Sequence, residues 1–288
     1  MQPTSPSPTL PRISCSTASL YHLPLATTVG LLRDAGFDGV ELVVSPETLA
    51  RGMRVTQRIL QRAGMQALSF HPPILPFPGW PRDQFWRGLT TAQHARDLGC
   101  EVAVIHAPKS RSLATPRARQ YIAAIDAAQR VATDHGFVIG LETTQRPWDG
   151  KPPLLFDDLT YFLGFADDHD LSVTFDTCHA AASGDDLLAA LHQIGPRLRN
   201  VHFSDCIRLG PGQKPKTHVI PGMGNTVDLA AFVRGLAARQ YTGLITCELS
   251  PFELHAWPLR KIAQKLAASR AFIAEALASA AQEPVMME

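Results

Sequence analysis

The sequence predicts an α/β chain folded as a single (β/α)8 barrel, and three observations carry that expectation. Short β-branched runs alternate with longer helical patterns, and eight such strand-helix units can be marked off. Polar residues able to bind a metal close one apolar strand after another. The length, 288 residues with 45% hydrophobic side chains, suits one barrel of about 250 residues with short tails.

The units run in order. RISCS is followed by a helix from about Pro24, GVELVV by one from about Pro46, and MQALSFH by one from about Pro81. EVAVIH precedes a helix from Pro116 to His135, FVIGLE one from Phe156 to His169, and LSVTFD one from Asp185 to Ile194. RNVHFS leads to a helix from Val227 to Gln240, and GLITCE to the last. Strand then helix, repeated, implies parallel pairing; eight repeats favour a closed barrel over an open doubly wound sheet, the structural alternative. Gly36, Gly64, Gly99 and Gly136 stand where a helix would end in a left-handed residue before the next strand. The barrel is expected over 12–280, with residues 1–11 and 281–288 as flexible tails.

A formal net charge of +1 offers no nucleic-acid footprint. Five cysteines, odd in number and scattered, do not form the paired framework of a secreted disulfide protein, which points to the cytoplasm. The opening MQPTSPSPTLP lacks the basic start and apolar stretch of a signal peptide, and no segment reaches membrane-spanning length. Neither GxGxxG nor GxxxxGK[ST] occurs, so nucleotide cofactors have no support. Two long irregular stretches, His71 to Pro81 and Asp205 to Thr226, both follow strands, on the face where barrel enzymes keep their loops.

The residues that close strands are His71, His106, Glu142, Asp176, His202 and Glu248. In a parallel barrel all strand C-termini meet at one face, so these six converge on one mouth. Each alone reads as a solvated or hydrogen-bonded strand end; together, crowded carboxylates would repel unless a cation held them. Mixed nitrogen and oxygen donors suit Zn²⁺, Mn²⁺, Co²⁺ or Fe²⁺ better than Mg²⁺ or Ca²⁺. His179, three after Asp176, and His218 add to the cluster, whereas Cys178 and Cys247 read as packing residues. The remaining histidines, His22, His94, His135, His169, His192 and His255, read as surface groups in helices or at their ends. Lys109, Lys214, Lys216, Arg146 and Arg208 are candidate anion contacts at the mouth, with ordinary solvated loop charge as the alternative.

Over about residues 12 to 255 the segments LETT, FDTCHAAASGDD, VHFSD, HVIPGMGN followed by Asp228, and CELSP resemble the xylose isomerase-like TIM barrels, which include sugar isomerases, epimerases and endonuclease IV. In the isomerase and epimerase branch the resemblance implies one divalent metal held by Glu142, Asp176, His202 and Glu248. It also implies that Glu142 and Glu248 flank a sugar carbon and move its proton, while His179 and Arg208 hold substrate oxygens. A cation would polarise the carbonyl and stabilise the enediolate between two carboxylates acting as base and acid. Where the epimerases carry a further Glu, six residues after the first ligand, this chain has Trp148, which is expected against the substrate together with Lys109.

The endonuclease IV branch implies three zinc ions, adding His71, His106, His179 and His218 and an Asp whose place is taken here by Lys216. A cation there would deprive a third metal of a ligand and repel it. In PPILPFPGW, Ile74 stands where endonuclease IV has an aromatic wedge. The expected function is therefore metal-dependent isomerisation or epimerisation of a small sugar, sugar acid or cyclitol. The alternatives are zinc-dependent hydrolysis of abasic DNA and a metal-binding barrel without catalysis. The expected partner is a carbohydrate-like small molecule and not nucleic acid or a membrane; a homodimer through outer helices is compatible, though no exposed apolar stripe names its interface.

Overall fold

The computed structural model describes residues 10–210, 212–254 and 258–282 of the 288. The expected tails at 1–11 and 281–288 lie mostly outside the described residues, as does His255. Ten strands are described: β1 Arg12–Ser16, β2 Gly39–Val43, β3 Ala67–His71, β4 Val102–His106, β5 Val138–Glu142, β6 Ser172–Asp176, β7 Leu198–Phe203, β8 Asp205–Ile207, β9 Lys216–Val219 and β10 Leu244–Cys247. Eight of them, β1 to β7 and β10, close a parallel barrel in chain order. These are the eight strands that the alternation predicts. Gly36, Gly64, Gly99 and Gly136 all take positive φ, between 67° and 86°, so each chain reversal falls where only glycine enters without strain.

Three local expectations change. The helix expected from Pro46 breaks at Gly52, whose φ of 76° cannot continue a helix, into Pro46–Arg51 and Met53–Arg62. A short helix, Thr177–Ser183, forms directly after β6 and ends at Gly184 in the left-handed region. The stretch Asp205 to Thr226 is not wholly irregular: β8 and β9 pair there as an antiparallel hairpin. Asp205 holds it, because its buried carboxylate accepts hydrogen bonds from the backbone of Cys206 at 2.8 Å and of Gly222 and Gly224 at 2.9 Å.

Inside the barrel, side chains form layers. Leu68, Val102, Val104 and Leu244 make an apolar floor. Above it, polar groups of β1, β10 and β7 link Ser14 Oγ to Thr246 Oγ1 at 2.8 Å and Thr246 Oγ1 to Asn200 Oδ1 at 2.8 Å. Outward-facing residues such as Cys15, Phe70, Ile139, Phe175, Phe203 and Cys247 pack under the helices and form the main core. Strand alternation thus turns Cys247 away from the mouth. All five cysteines are buried and unpaired. No helix among the described residues is long and apolar enough to cross a membrane.

Candidate metal centre

Register brings the strand ends together. His106 pairs with Glu142 across β4 and β5, and Asp176 with His202 across β6 and β7. Side chains at paired positions of parallel strands leave the sheet on the same face, and because Glu142 pairs with Thr174, two residues before Asp176, both pairs point into the mouth one step apart. Donor atoms of Glu142, Asp176, His202 and Glu248 lie within 4.8 Å of one another, as do those of His71, His106 and Glu142, and those of Asp176, Cys178, His179 and His218.

Each donor is held by its other end. Asp176 caps the helix Thr177–Ser183, Oδ1 accepting from the His179 backbone at 2.9 Å, and this leaves Oδ2 free to face the mouth. His71 Nδ1 lies 2.5 Å from the Pro72 carbonyl, and His179 Nδ1 lies 3.0 Å from the Thr143 carbonyl. A carbonyl only accepts, so Nδ1 carries a proton in both rings and Nε2 is the nitrogen that can give up its proton to face a cation. His71 Nε2 then faces His106 Nε2 at 3.1 Å, and His106 Nε2 stands 2.9 Å from Glu142 Oε2. His202 Nδ1 lies 3.2 Å from both Glu142 Oε1 and Glu248 Oε2.

Glu142 Oε2, Asp176 Oδ2 and Glu248 Oε2 are buried and accept no hydrogen bond of good geometry, although His106 Nε2 stands 2.9 Å from the first and His202 Nδ1 3.2 Å from the last. Three carboxylate oxygens crowded among imidazole nitrogens with no well-formed hydrogen bond fit a cation well. Burial opposes charge on Glu142 and Glu248, yet His106 and His202 hold Glu142, and His202 and His218 hold Glu248, below the usual carboxylate range. Burial also opposes charge on His202, yet Glu41, Glu248 and Glu142 raise it well above the ordinary histidine value.

Glu41 is the residue that sequence reasoning missed. It is fully buried in β2 beneath the mouth, where Oε2 accepts from His202 Nε2 at 3.0 Å and from Ser69 Oγ at 3.0 Å. Its signal was available, as a lone acid within the apolar run GVELVV, but mid-strand and not at a strand end.

The remaining expected residues divide. Lys109 and Trp148 line a cavity beside Glu142, His106 and His179. Arg208 does not line that cavity: its backbone N–H bonds Asn225 and its guanidinium lies over Gly184. His218 joins the mouth from β9 with a φ of 56°, rare for a residue with a side chain, and its Nδ1 is 3.8 Å from Glu248 Oε2. Cys178 packs with Ala181 and Cys206 as expected, but its sulfur also approaches His218 Nδ1 to 3.6 Å. Burial and then Asp176 push its thiol well up, so it stands there as a neutral group. His94 is not a surface group: it packs between Phe70 and Trp80, and burial lowers its proton affinity.

Eight parallel strands closed into a barrel, with histidines and carboxylates gathered at their C-terminal ends, define a TIM barrel with a metal-type centre. The chain belongs to the xylose isomerase-like TIM barrel family, whose model matches residues 29–275. An uncharacterised protein of Mycobacterium tuberculosis (strain ATCC 25618 / H37Rv) is 26% identical over 254 residues, 83% of this chain and 89% of that one. Among solved structures, a xylose isomerase domain protein from Planctomyces limnophilus is 18% identical with a TM-score of 0.71, covering 96% of this chain and 100% of that one. An L-ribulose 3-epimerase is 20% identical with a TM-score of 0.70, covering 97% and 100%. A D-allulose 3-epimerase from Methylomonas sp., solved with D-allulose, is 19% identical with a TM-score of 0.68, covering 93% and 98%. At these identities the likeness is one of fold.

Proposed function

We propose that this protein is a divalent-metal-dependent isomerase or epimerase of a small sugar, sugar acid or cyclitol. The observation that carries the reading is the cluster of Glu142, Asp176, His202 and Glu248, with its three buried carboxylate oxygens that accept no well-formed hydrogen bond. In this reading these four residues hold one ion of the Zn²⁺, Mn²⁺, Co²⁺ or Fe²⁺ kind. When bound, the ion supplies Lewis-acid polarisation of a substrate carbonyl and offsets the negative charge that develops there. Glu142 and Glu248 are the proton-transfer residues, one removing the proton beside the carbonyl and the other returning one. Both are held charged in the metal-free chain, which suits whichever removes the proton, and the other must take up a proton before it returns one. In this reading His179, which lines the cavity beside Glu142, holds a substrate oxygen. Sugar epimerases are among the proteins that share this fold, which agrees with the reading.

A second reading has its own observation. His71, His106 and Glu142 form a further donor cluster that shares Glu142 with the first, and Asp176, Cys178, His179 and His218 form another. Two or three ions would suit hydrolysis of a phosphodiester, as in an endonuclease IV-like enzyme. Lys216 argues against a full third site, standing exposed two residues before His218 on β9. Elemental analysis of the purified chain, followed by solvent deuterium exchange into candidate ketoses, tests the first reading. About one ion per chain and label beside the carbonyl are expected. Two or three zinc ions with cleavage of abasic DNA would overturn it, and bound metal without turnover on either substrate would leave a binding module.

A further inference from the structure

A cavity of about 1030 Å³ opens from the mouth, bounded by Glu142, His106 and His179 on the barrel side. It extends over the helices Gln84–Leu98 and Pro116–His135, where Arg87 and Arg117 line it, and over the loop after β4, where Lys109 does. The volume exceeds what a five- or six-carbon sugar fills, because pockets of about 300–1,000 Å³ already house drug-sized ligands. The far part of the cavity therefore has room for a further group.

Charge there is unbalanced. Two of the cavity's cations are neutralised within the chain: Arg146 by Asp185, and Lys151 by Asp149 at 2.6 Å. Among the cavity's acids, Asp157 is engaged with the Leu154 backbone at 2.7 Å and Thr144 Oγ1 at 2.8 Å. By contrast, none of the Arg87, Lys109 and Arg117 side chains forms an ion pair or hydrogen bond among the described residues. Arg87 is half-buried, and burial, then the neighbouring charge of Arg117, disfavours its protonation. Arg87 and Arg117 repel one another, Lys109 lines the same cavity, and none of the three has a carboxylate partner, so an anion removes the repulsion while pairing with the forks. Arg117 also lies in the first turn of a 20-residue helix, whose N-terminal dipole adds to the positive field.

We propose that Arg87, Arg117 and Lys109 form an anion subsite, and that the substrate is an anionic polyol. In this arrangement a phosphate or carboxylate group sits on the three cations while the reacting carbons lie at Glu142 and Glu248. The proposal rests on the isomerase reading for its reacting carbons but not for the anion itself. Two of its three residues lie on helices, away from the strand ends where sequence reasoning looked.

The test is calorimetric titration of inorganic phosphate, and separately of acetate, into the full-length chain stripped of metal by chelation. Saturable binding near one per chain is expected, tighter for phosphate if the natural group is a phosphoryl and tighter for acetate if it is a carboxylate. Arg87→Gln and Arg117→Gln are each expected to weaken it at least tenfold, and Arg234→Gln, on the outer helix Leu229–Ala238, to leave it unchanged. Arg117 is exposed, so its variant keeps the fold even if Arg87→Gln does not. Absence of saturable binding of either anion, or binding by Arg117→Gln as tight as wild type, would overturn the proposal. Because no turnover is read, a failed subsite leaves the isomerase reading standing, and failed deuterium exchange with intact phosphate binding removes only that reading.

Discussion

Glu41 Oε2 and His202 Nε2 lie 3.0 Å apart, both side chains fully excluded from solvent, on strands separated by β1 and β10 in the barrel. The carboxylate accepts the Nε2 proton, so Nδ1 is the nitrogen turned toward Glu142 and Glu248. A buried carboxylate behind an imidazole fixes the ring and its tautomer, and strengthens it as a donor. Glu41→Gln keeps the shape but removes the charge, and Glu41→Leu removes the acceptor as well. Metal affinity, measured by chelator competition, is expected to fall about 10–100-fold in Glu41→Leu and less in Glu41→Gln. Nitrogen chemical shifts of His202 in labelled protein separate this from general loosening: mixed tautomers are expected in Glu41→Leu, and a preserved Nε2–H form would refute the role.

Metal uptake is expected to release protons. In the metal-free chain His71, His179 and His202 hold their protons above the ordinary histidine range, because nearby carboxylates outweigh burial. A cation needs the imidazole lone pairs, so apparent affinity rises as pH climbs above the ordinary histidine value. The stability sign follows separately. A raised histidine stabilises the metal-free fold fully below about pH 6.5, its unfolded value, and that contribution disappears as pH climbs through the folded value. Titrations in two buffers of different ionisation enthalpy must then give different apparent heats; equal heats would mean that no proton leaves.

Glu142→Gln and Glu248→Gln preserve volume and hydrogen-bonding shape but not basicity. Each is expected to lower deuterium exchange into substrate by at least 10²-fold, the usual range for general acid-base groups. Retained exchange in both variants would remove them from proton transfer. Metal content is measured alongside, because both residues also belong to the proposed ligand set.

Lys216→Asp places a carboxylate on β9 two residues before His218. Zinc per chain is expected to rise, since Asp176, His179 and His218 already supply donors nearby. Unchanged stoichiometry would show that this corner of the mouth is not a vestigial metal site.

Gly224→Ala is expected to destabilise the chain by about 1–3 kcal/mol, the usual cost of overpacking a tight site. A Cβ at that position would land on the Asp205 carboxylate, which is buried and tied to three backbone N–H groups. The β8–β9 hairpin that carries His218 would shift with it. A lower melting temperature is the readout, and a melting temperature equal to wild type would show that the loop yields without cost.

Much of this was legible from residue order alone. Alternating strand and helix patterns predict the barrel, and a parallel barrel forces every strand end to one face, so six residues spread from His71 to Glu248 could be assembled on paper. Left-handed glycines at 36, 64, 99 and 136 follow from the same local grammar. Glu41 escaped because a mid-strand acid in an apolar run has no partner in sequence; its partner, His202, is 161 residues away. The β8–β9 hairpin escaped because what holds it is one buried carboxylate, Asp205, and not a periodic pattern.

What the sequence by itself determined is the barrel and the kinds of donor atom at its mouth, since periodicity and strand ends are local properties of the chain. Which nitrogen of each histidine faces the mouth, which carboxylate oxygens stay free of well-formed hydrogen bonds, and which arginines share a cavity with them depend on neighbours brought in from distant segments. Those neighbours exist only once the barrel has closed, and tertiary structure alone decided them.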